Sequence, residues 1–507
     1  MMDAADQAGS EEAASKEDSC FDLIVVGGGI AGVTCAQSLS FLQTESRILL
    51  ISASPLIKAV INYKQLTKVL EEFDVEEKPS SYLESNYPNV KVIHAVVTDL
   101  DSVGHKIYTD NDSVYRYRKL CLCAGGRPKI VVEDNPYVLG IRDTESVRTF
   151  QRKLTDARRV VIVGNGGIAT ELVYELENVE IVWAIKDESI TATFIDVGAA
   201  EFFLASLNER KATARFRPIK REKYVVSGGE TSANEDVKGS ALGPDWHTGY
   251  ELKGLSDEQR SVHVEYKVEV RRILTQSEFM CEENLRNFLV TSNPSDRTDW
   301  WPVYVELTNG KIYGCDFVVS ATGVKPNRDP FAKSNNFTIS ADGGLMVDDK
   351  MRTSIADVYA AGDLCAPTWE PAKHWLQMKL WTQARQMGIY AGKCIDADLR
   401  GRIREMTLDF CFEIFTHVTQ FFGYKVVLLG KFNAQDLGND YHVLLRTTEG
   451  REYVKAVMHD GRMQGAILIG ETDLEETFEN LILNQMDLSR YGEDLLHPDI
   501  DIEDYFD

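Results

Sequence analysis

Two periodicities of apolar residues run along this chain, and the points where one gives way to the other mark its elements. The unbroken apolar run from Phe21 to Val26 predicts a buried strand, which enters a cluster of glycines and then a helix-like stretch starting at Val33. The same unit recurs: Val160 to Val163, a second glycine cluster, and a second helical pattern. Ile48 to Ile51 and Ile181 to Ile185 follow as the next buried strands. Two more buried strands stop in small residues, one at Ala124-Gly125-Gly126 and one at Ala321-Thr322-Gly323, as crossings between domains do. Val303-Tyr-Val-Glu-Leu307 alternates as a half-buried strand, and Lys379 to Cys394 reads as a helix. Farther on, Phe410 to Leu429, Tyr441 to Arg446, Tyr453 to His459 and Gln464 to Ile469 predict a meander, and Leu474 to Gln485 a helix.

The glycine clusters carry the chemistry. Gly27-Gly28-Gly29-Ile30-Ala31-Gly32 and Gly164-Asn165-Gly166-Gly167-Ile168-Ala169 each join a strand to a helix, so a pyrophosphate can approach backbone amides at the positive helix end without meeting a side chain. One such turn alone is weak evidence, because glycine turns also serve packing; two in the same context imply two dinucleotides. A third segment, Val358-Tyr-Ala-Ala-Gly362-Asp363, is an apolar strand ending in a Gly-Asp turn. An aspartate there can accept hydrogen bonds from the ribityl hydroxyls of FAD while the glycine lets the flavin chain pass.

On these motifs, residues 20 to 400 resemble the class I pyridine nucleotide-disulphide oxidoreductases. The resemblance implies an α/β fold with two Rossmann-like dinucleotide-binding domains, for FAD and NAD(P)H, the second inserted in the first, followed by a C-terminal α+β domain. It divides the chain into a disordered tail (1–20), a first FAD half (21–146), an NAD(P)H domain (147–325) with an insertion at about 217–259, a second FAD half (326–403), and a C-terminal domain with an acidic tail (404–507). It also assigns contacts. The FAD set is Gly27, Gly28, Gly29, Ile30, Ala31, Gly32, Ser52, Val97, Ala124, Gly125, Gly362, Asp363, Trp381 and Thr382. The nicotinamide set is Gly164, Gly166, Gly167, Ile168, Glu171 and Gly323. In the family a glutamate at the place of Glu171 lies beside the flavin and pairs with a lysine from the other FAD helix; Lys58 and Lys64 are the candidates. The helix starting near Trp381-Thr382 presents free amides that stabilise negative charge on the flavin. Ala241-Leu-Gly-Pro-Asp245-Trp246-His247 and Asp499-Ile-Asp-Ile-Glu503-Asp-Tyr505-Phe506-Asp507 resemble a branch of the family associated with protecting the metazoan tRNA ligase complex from oxidative inactivation. That partner, reached through the acidic tail and its aromatic close, is an expectation of the resemblance.

Departures from the family narrow the reading. Neither Cys-x4-Cys nor Cys-x2-Cys occurs, and Ser54 to Gln65, where single-thiol relatives carry their cysteine, has none. Cys121 and Cys123 fall in a buried strand and are expected to point to opposite faces as core. Cys35 is expected to pack its helix on the sheet, and Cys365 is the one thiol expected near the flavin. The acid that usually ends the second strand and binds the adenosine ribose is absent from both units; Ser52 stands in one and Lys186 follows the other, which leaves NADH and NADPH both open. His497-Pro498 with Glu503 only faintly echoes the family's acid-base pair and reads as coincidence. A dithiol reductase with an unrecognised pair is the weakest alternative; a nicotinamide-responsive binding module is the stronger one.

Composition adds exclusions. The 79 acidic against 55 basic side chains, net -24, repel phosphates, so an RNA connection is expected to run through a protein. No apolar run reaches the roughly 20 residues a membrane helix needs. The start of the chain is acidic and Ala/Ser-rich, unlike a secretion or transit signal. Nine cysteines at irregular spacing suit reduced thiols, and the cytosol and nucleus are the expected compartments.

Overall fold

The computed structural model describes residues 19–204, 207, 250–256, 261–290 and 300–497. The expected N-terminal tail, most of the expected insertion, the Ala241–His247 motif and the Asp499–Asp507 ending lie outside these residues.

The first nucleotide unit is built on parallel strands in the order Val90–His94, Ile48–Ser52, Cys20–Val26, Val114–Leu122, with Val358–Ala360 beside the last. Both faces are covered, so its strands are apolar at every position; Ile48 to Ile51 are all essentially inaccessible. Two shorter strands, Lys106–Thr109 and Val97–Asp101, extend it antiparallel. The second unit repeats the plan with five parallel strands in the order Val138–Gly140, Phe317–Ser320, Arg159–Val163, Glu180–Ala184, Ser261–Glu265. Trp183 lies fully buried beneath it and donates its indole N–H to the carbonyl of Gly164 at 2.7 Å, which ties the second turn to its sheet. A three-stranded antiparallel sheet made by Val270–Thr275, Val303–Leu307 and Ile312–Cys315 flanks this unit.

The chain crosses between the two units twice, and the crossings lie side by side: Gly126–Pro128 pairs antiparallel with Val324–Pro326. The C-terminal sheet is antiparallel, in the order Thr416–Phe421, Tyr424–Gly430, Arg462–Ile469, Glu452–His459, His442–Thr448, with the helix Glu475–Asn484 packed on it. The expected strand from Phe410 therefore begins only at Thr416, because Phe410–Phe412 makes a short 3-10 turn. Phe203 and Phe422 stack at 5.0 Å and Phe202 meets Tyr424 edge-on at 5.3 Å, joining this sheet to the nicotinamide unit. Lys455, almost wholly buried, reaches across the same interface to Asp196 at 2.6 Å.

Two further features set up the site. The helices Ile30–Leu42 and Trp381–Leu399 cross in close contact because Gly388 and Gly392 stand at the crossing; side chains there would meet the Ala31 carbonyl at 2.3 Å and the Ser38 hydroxyl at 2.8 Å. The start of the long helix is thereby pressed against the first glycine turn. In addition, Leu56–Gln65 and Glu71–Pro79 form a hairpin. Its tip is clamped to the C-terminal helix by the buried carboxylate of Glu479, which accepts from the Thr67 hydroxyl and from the amides of Val69 at 3.2 Å and Leu70 at 3.1 Å.

Candidate functional site

Both glycine turns open on one chamber of about 850 Å³. Each turn is sealed behind and clear in front. A side chain at Gly27, whose φ of +124° already favours glycine, would stand 2.2 Å from the Cys123 carbonyl, and one at Gly32 would stand 1.9 Å from the Gly27 carbonyl. A side chain at Gly29 would meet nothing within 4 Å. The second turn matches it: Gly164, with φ +127°, backs onto the Ala321 carbonyl at 2.2 Å, while Gly166 faces open space. Gly29 and Gly166 cap the helices Ile30–Leu42 and Gly167–Glu175, and neither cap uses a side chain, so the first amides of both helices are left for a ligand. Among the described residues none fills either cradle, and the residues present fit two pyrophosphates.

The predicted residues sort by position. Gly27 to Ala31, Ser52, Lys58, Val97, Ala124, Gly125, Gly166 to Ile168, Glu171, Gly323, Asp363 and Trp381 stand in the chamber wall. Gly32, Gly164, Gly362 and Thr382 stand behind it; Gly362, at φ +74°, lets the 3-10 turn that carries Asp363 approach Ala31. Of the two lysines only Lys58 is in the wall. It lies on the strand Leu56–Gln65, buried, and pairs with Glu77 at 2.9 Å, whereas Lys64 is exposed farther along the hairpin. The lysine thus comes from a strand rather than a helix.

The structure also brings in groups that the sequence reading missed. Arg142 donates from Nη2 to the Asp363 carboxylate and from Nε to the Gly126 carbonyl, both at 2.8 Å, which holds the expected ribityl acceptor in place. No spacing marks Arg142, because what matters is its position at the crossing. Asn165 donates to Asp187 and to the Ser189 carbonyl, both at 2.8 Å, and so fastens the second turn to the loop where the ribose-binding acid is missing. In that loop Ile185 is buried and Lys186 exposed.

His417, Thr419 and Phe421 enter the wall from the first strand of the C-terminal sheet. Their alternation was a legible signal: odd positions of one strand share a face. His417 is buried, its Nδ1 is 3.5 Å from the Thr382 hydroxyl and its ring stacks near Phe194; burial lowers its pKa to about 4, so the imidazole is neutral at physiological pH.

Two expectations about the thiols are corrected. Cys121 and Cys123 do not face opposite ways; residues two apart on a strand share a side, and their Sγ atoms are 3.6 Å apart. The thiol-bearing residue in the wall is Cys123, not Cys365. Cys365 is buried and its Sγ donates to the Gly362 carbonyl, while burial pushes its pKa far up.

The matches to known proteins agree with this geometry. Residues 21–217 and 278–388 match the family described as pyridine nucleotide-disulphide oxidoreductase, and residues 417–486 match the rubredoxin NAD+ reductase C-terminal domain. The chain belongs to the pyridine nucleotide-disulphide oxidoreductase family. It is 58% identical to the pyridine nucleotide-disulfide oxidoreductase domain-containing protein 1 of Rattus norvegicus, over 96% of this chain and 98% of the rat protein. The Drosophila melanogaster protein of that name is 45% identical, over 96% and 99%. A solved NAD-dependent persulfide reductase from A. fulgidus has the same fold at TM-score 0.62 and 16% identity, over 92% of this chain and 78% of that one.

FAD and NAD(P)H are the cofactors of this family and of this chain, and when bound the two would supply hydride transfer. The residues here do the rest. Lys58 and Glu171 bring an amine and a carboxyl to the chamber wall, and Phe194 and Phe421 give it an apolar aromatic face. The helix starting at Trp381 also begins without a side-chain cap, and its positive end stands in the chamber wall, where it would favour a negatively charged group.

Proposed function

We propose that the chain is an FAD-dependent NAD(P)H oxidoreductase that works without a dithiol relay: hydride passes from NAD(P)H to FAD, and electrons leave directly to a small acceptor, slowly to dioxygen, or to a protein partner. One observation carries this reading. A single chamber receives both glycine turns, and among the described residues of its wall the only cysteine is Cys123, set beneath the first turn and away from Glu171 and Trp381 in sequence. A relay dithiol needs one sulfur at the flavin and a second open to the acceptor, and Cys121, the neighbour of Cys123, is fully buried and outside the wall.

The physiological setting we infer is protection of the tRNA ligase complex from oxidative inactivation, in the cytosol and nucleus, with the acidic C-terminal tail as the docking element. The resemblance of Ala241–His247 and Asp499–Asp507 to that branch of the family supports it, as does the near full-length similarity to relatives of one name. A second reading makes turnover incidental and the protein a nicotinamide-responsive binding module. It is favoured by the position of His417, Thr419 and Phe421, since an occupant of the chamber would lie against the C-terminal domain.

Anaerobic titration of the purified full chain with NADH and with NADPH tests the enzyme. Loss of the visible flavin absorbance with one equivalent, and slow return in air, supports direct flavin chemistry; a colourless chain that takes up no FAD refutes it. Capture of the ligase complex that needs NAD(P)H and persists when turnover is blocked favours the binding module.

A further inference from the structure

Three thiols meet directly beneath the first glycine turn. The Sγ atoms of Cys121 and Cys123 are 3.6 Å apart, and Cys35, on the helix that the turn initiates, is buried in the same cluster, near enough for its thiol to interact with both. All three side chains are buried, and Cys123 also belongs to the chamber wall. The turn fits onto Cys123 without slack: its carbonyl would be 2.2 Å from a side chain at Gly27, its Cβ is 3.3 Å from where one would stand at Gly32, and its amide donates to the Val26 carbonyl at 2.8 Å. A disulfide needs its sulfurs about 2.05 Å apart, so closing the Cys121–Cys123 gap moves them together by roughly 1.5 Å. With Gly27 packed on the Cys123 carbonyl, that displacement is passed to the turn.

We propose that this cluster is an oxidisable lock on FAD uptake, closed by a hydroperoxide that reaches Cys123 through the chamber while FAD is absent. The Cys123 sulfur attacks the peroxide O–O bond, forming a sulfenic acid and releasing an alcohol, or water from hydrogen peroxide. Cys121 or Cys35 then displaces the sulfenic oxygen as a second water and forms the S–S bond. One hydroperoxide is reduced by two electrons, two thiols are oxidised, and both thiol protons leave in the products. A dinucleotide seated on Gly27 to Gly29 stands between the chamber and Cys123, so the loaded protein is protected. The cluster takes no part in passing electrons from the flavin. The proposal rests on the FAD seat described above.

Its test uses the full-length chain, FAD-loaded and FAD-free, treated with hydrogen peroxide, then denatured and alkylated for peptide mass spectrometry, with FAD affinity measured before and after. The FAD-free chain is expected to lose two alkylatable thiols among Cys35, Cys121 and Cys123, to bind FAD at least about tenfold more weakly, and to recover both with dithiothreitol. The loaded chain is expected to keep all three thiols reduced. Oxidation confined to the exposed Cys20 and Cys281 would overturn the proposal, as would a disulfide that leaves FAD affinity unchanged or forms equally in the loaded chain. A reduced chain that binds no FAD overturns the seat itself, and is told apart by the measurement made before peroxide is added. Cys35→Ala and Cys123→Ser, checked for native secondary structure by circular dichroism, identify the partners in the bond.

Discussion

Neighbouring glycines in the first turn ought to answer differently to the same added methyl group, and the difference separates folding from cofactor binding. At Gly27 an alanine must adopt φ +124° and place its methyl 2.2 Å from the Cys123 carbonyl. Backbone strain costs about 1–3 kcal/mol and overpacking about as much again, so Gly27→Ala is expected to lose roughly 2–6 kcal/mol of stability. At Gly29 the backbone is extended, with φ -78°, and the methyl meets no protein atom. A weaker N-cap costs about 0.5–1 kcal/mol, which the less flexible unfolded chain offsets by about 0.4–1 kcal/mol. Gly29→Ala is therefore expected to fold as the parent does and to bind FAD poorly, because its methyl occupies the space the pyrophosphate needs. A crowding cost of about 1–3 kcal/mol corresponds to roughly 5- to 150-fold in affinity. Urea unfolding of the FAD-free proteins reads the first effect and quenching of FAD fluorescence reads the second. A Gly29→Ala protein that binds FAD within twofold of the parent would refute the cradle, and a Gly27→Ala protein as stable as the parent would refute the packing argument.

Other substitutions separate neighbouring roles. Lys58→Met is expected to slow anaerobic flavin reduction by NAD(P)H at least about tenfold in stopped-flow absorbance, since it removes a charge from the chamber wall, and Lys64→Met to leave it within twofold. His417 is neutral in the fold down to pH about 4, whereas the unfolded chain protonates it from about 6.5, so stability falls as pH drops through that window. The penalty is about 2 kcal/mol at pH 5; His417→Gln should remove it, flattening the urea midpoint between pH 7 and pH 5. Glu479→Gln is expected to cost about 1–3 kcal/mol and to raise hydrogen exchange at the Val69 and Leu70 amides, which donate to its carboxylate in the fold; unchanged exchange there would mean that the clamp does not hold the hairpin.

Much of the nucleotide-binding architecture could be read in the chain because its cause is local. Strand, glycine turn and helix sit within a dozen residues of one another, and Ile48 to Ile51 could only be a strand buried on both faces. What escaped was decided at a distance. Arg142 matters because the crossing from the first unit brings it to Asp363, 221 residues later. The strand carrying Lys58 has the apolar content of a helix turn, and only its pairing with Glu71–Pro79 makes it a hairpin. The C-terminal contribution was half visible: the meander was legible, but that His417, Thr419 and Phe421 face a chamber built by other domains was not. The Cys121 and Cys123 misreading was of another kind, since two-residue spacing already dictates a common face.

The paired crossings at Gly126–Pro128 and Val324–Pro326 have a mechanical meaning. Both covalent links to the nicotinamide unit run together as one ribbon, which by itself would form a single-axis hinge. On the opposite flank Phe202, Phe203, Phe422 and Tyr424 interlock, and Lys455 holds Asp196, so swinging about that axis would tear open an apolar seam and strand a buried ammonium. A frame so tied favours a nucleotide that enters and leaves with the seam closed, and hydrogen exchange across Phe202, Phe203, Phe422 and Tyr424 that stays the same when NAD(P)H is added is the expected sign of it.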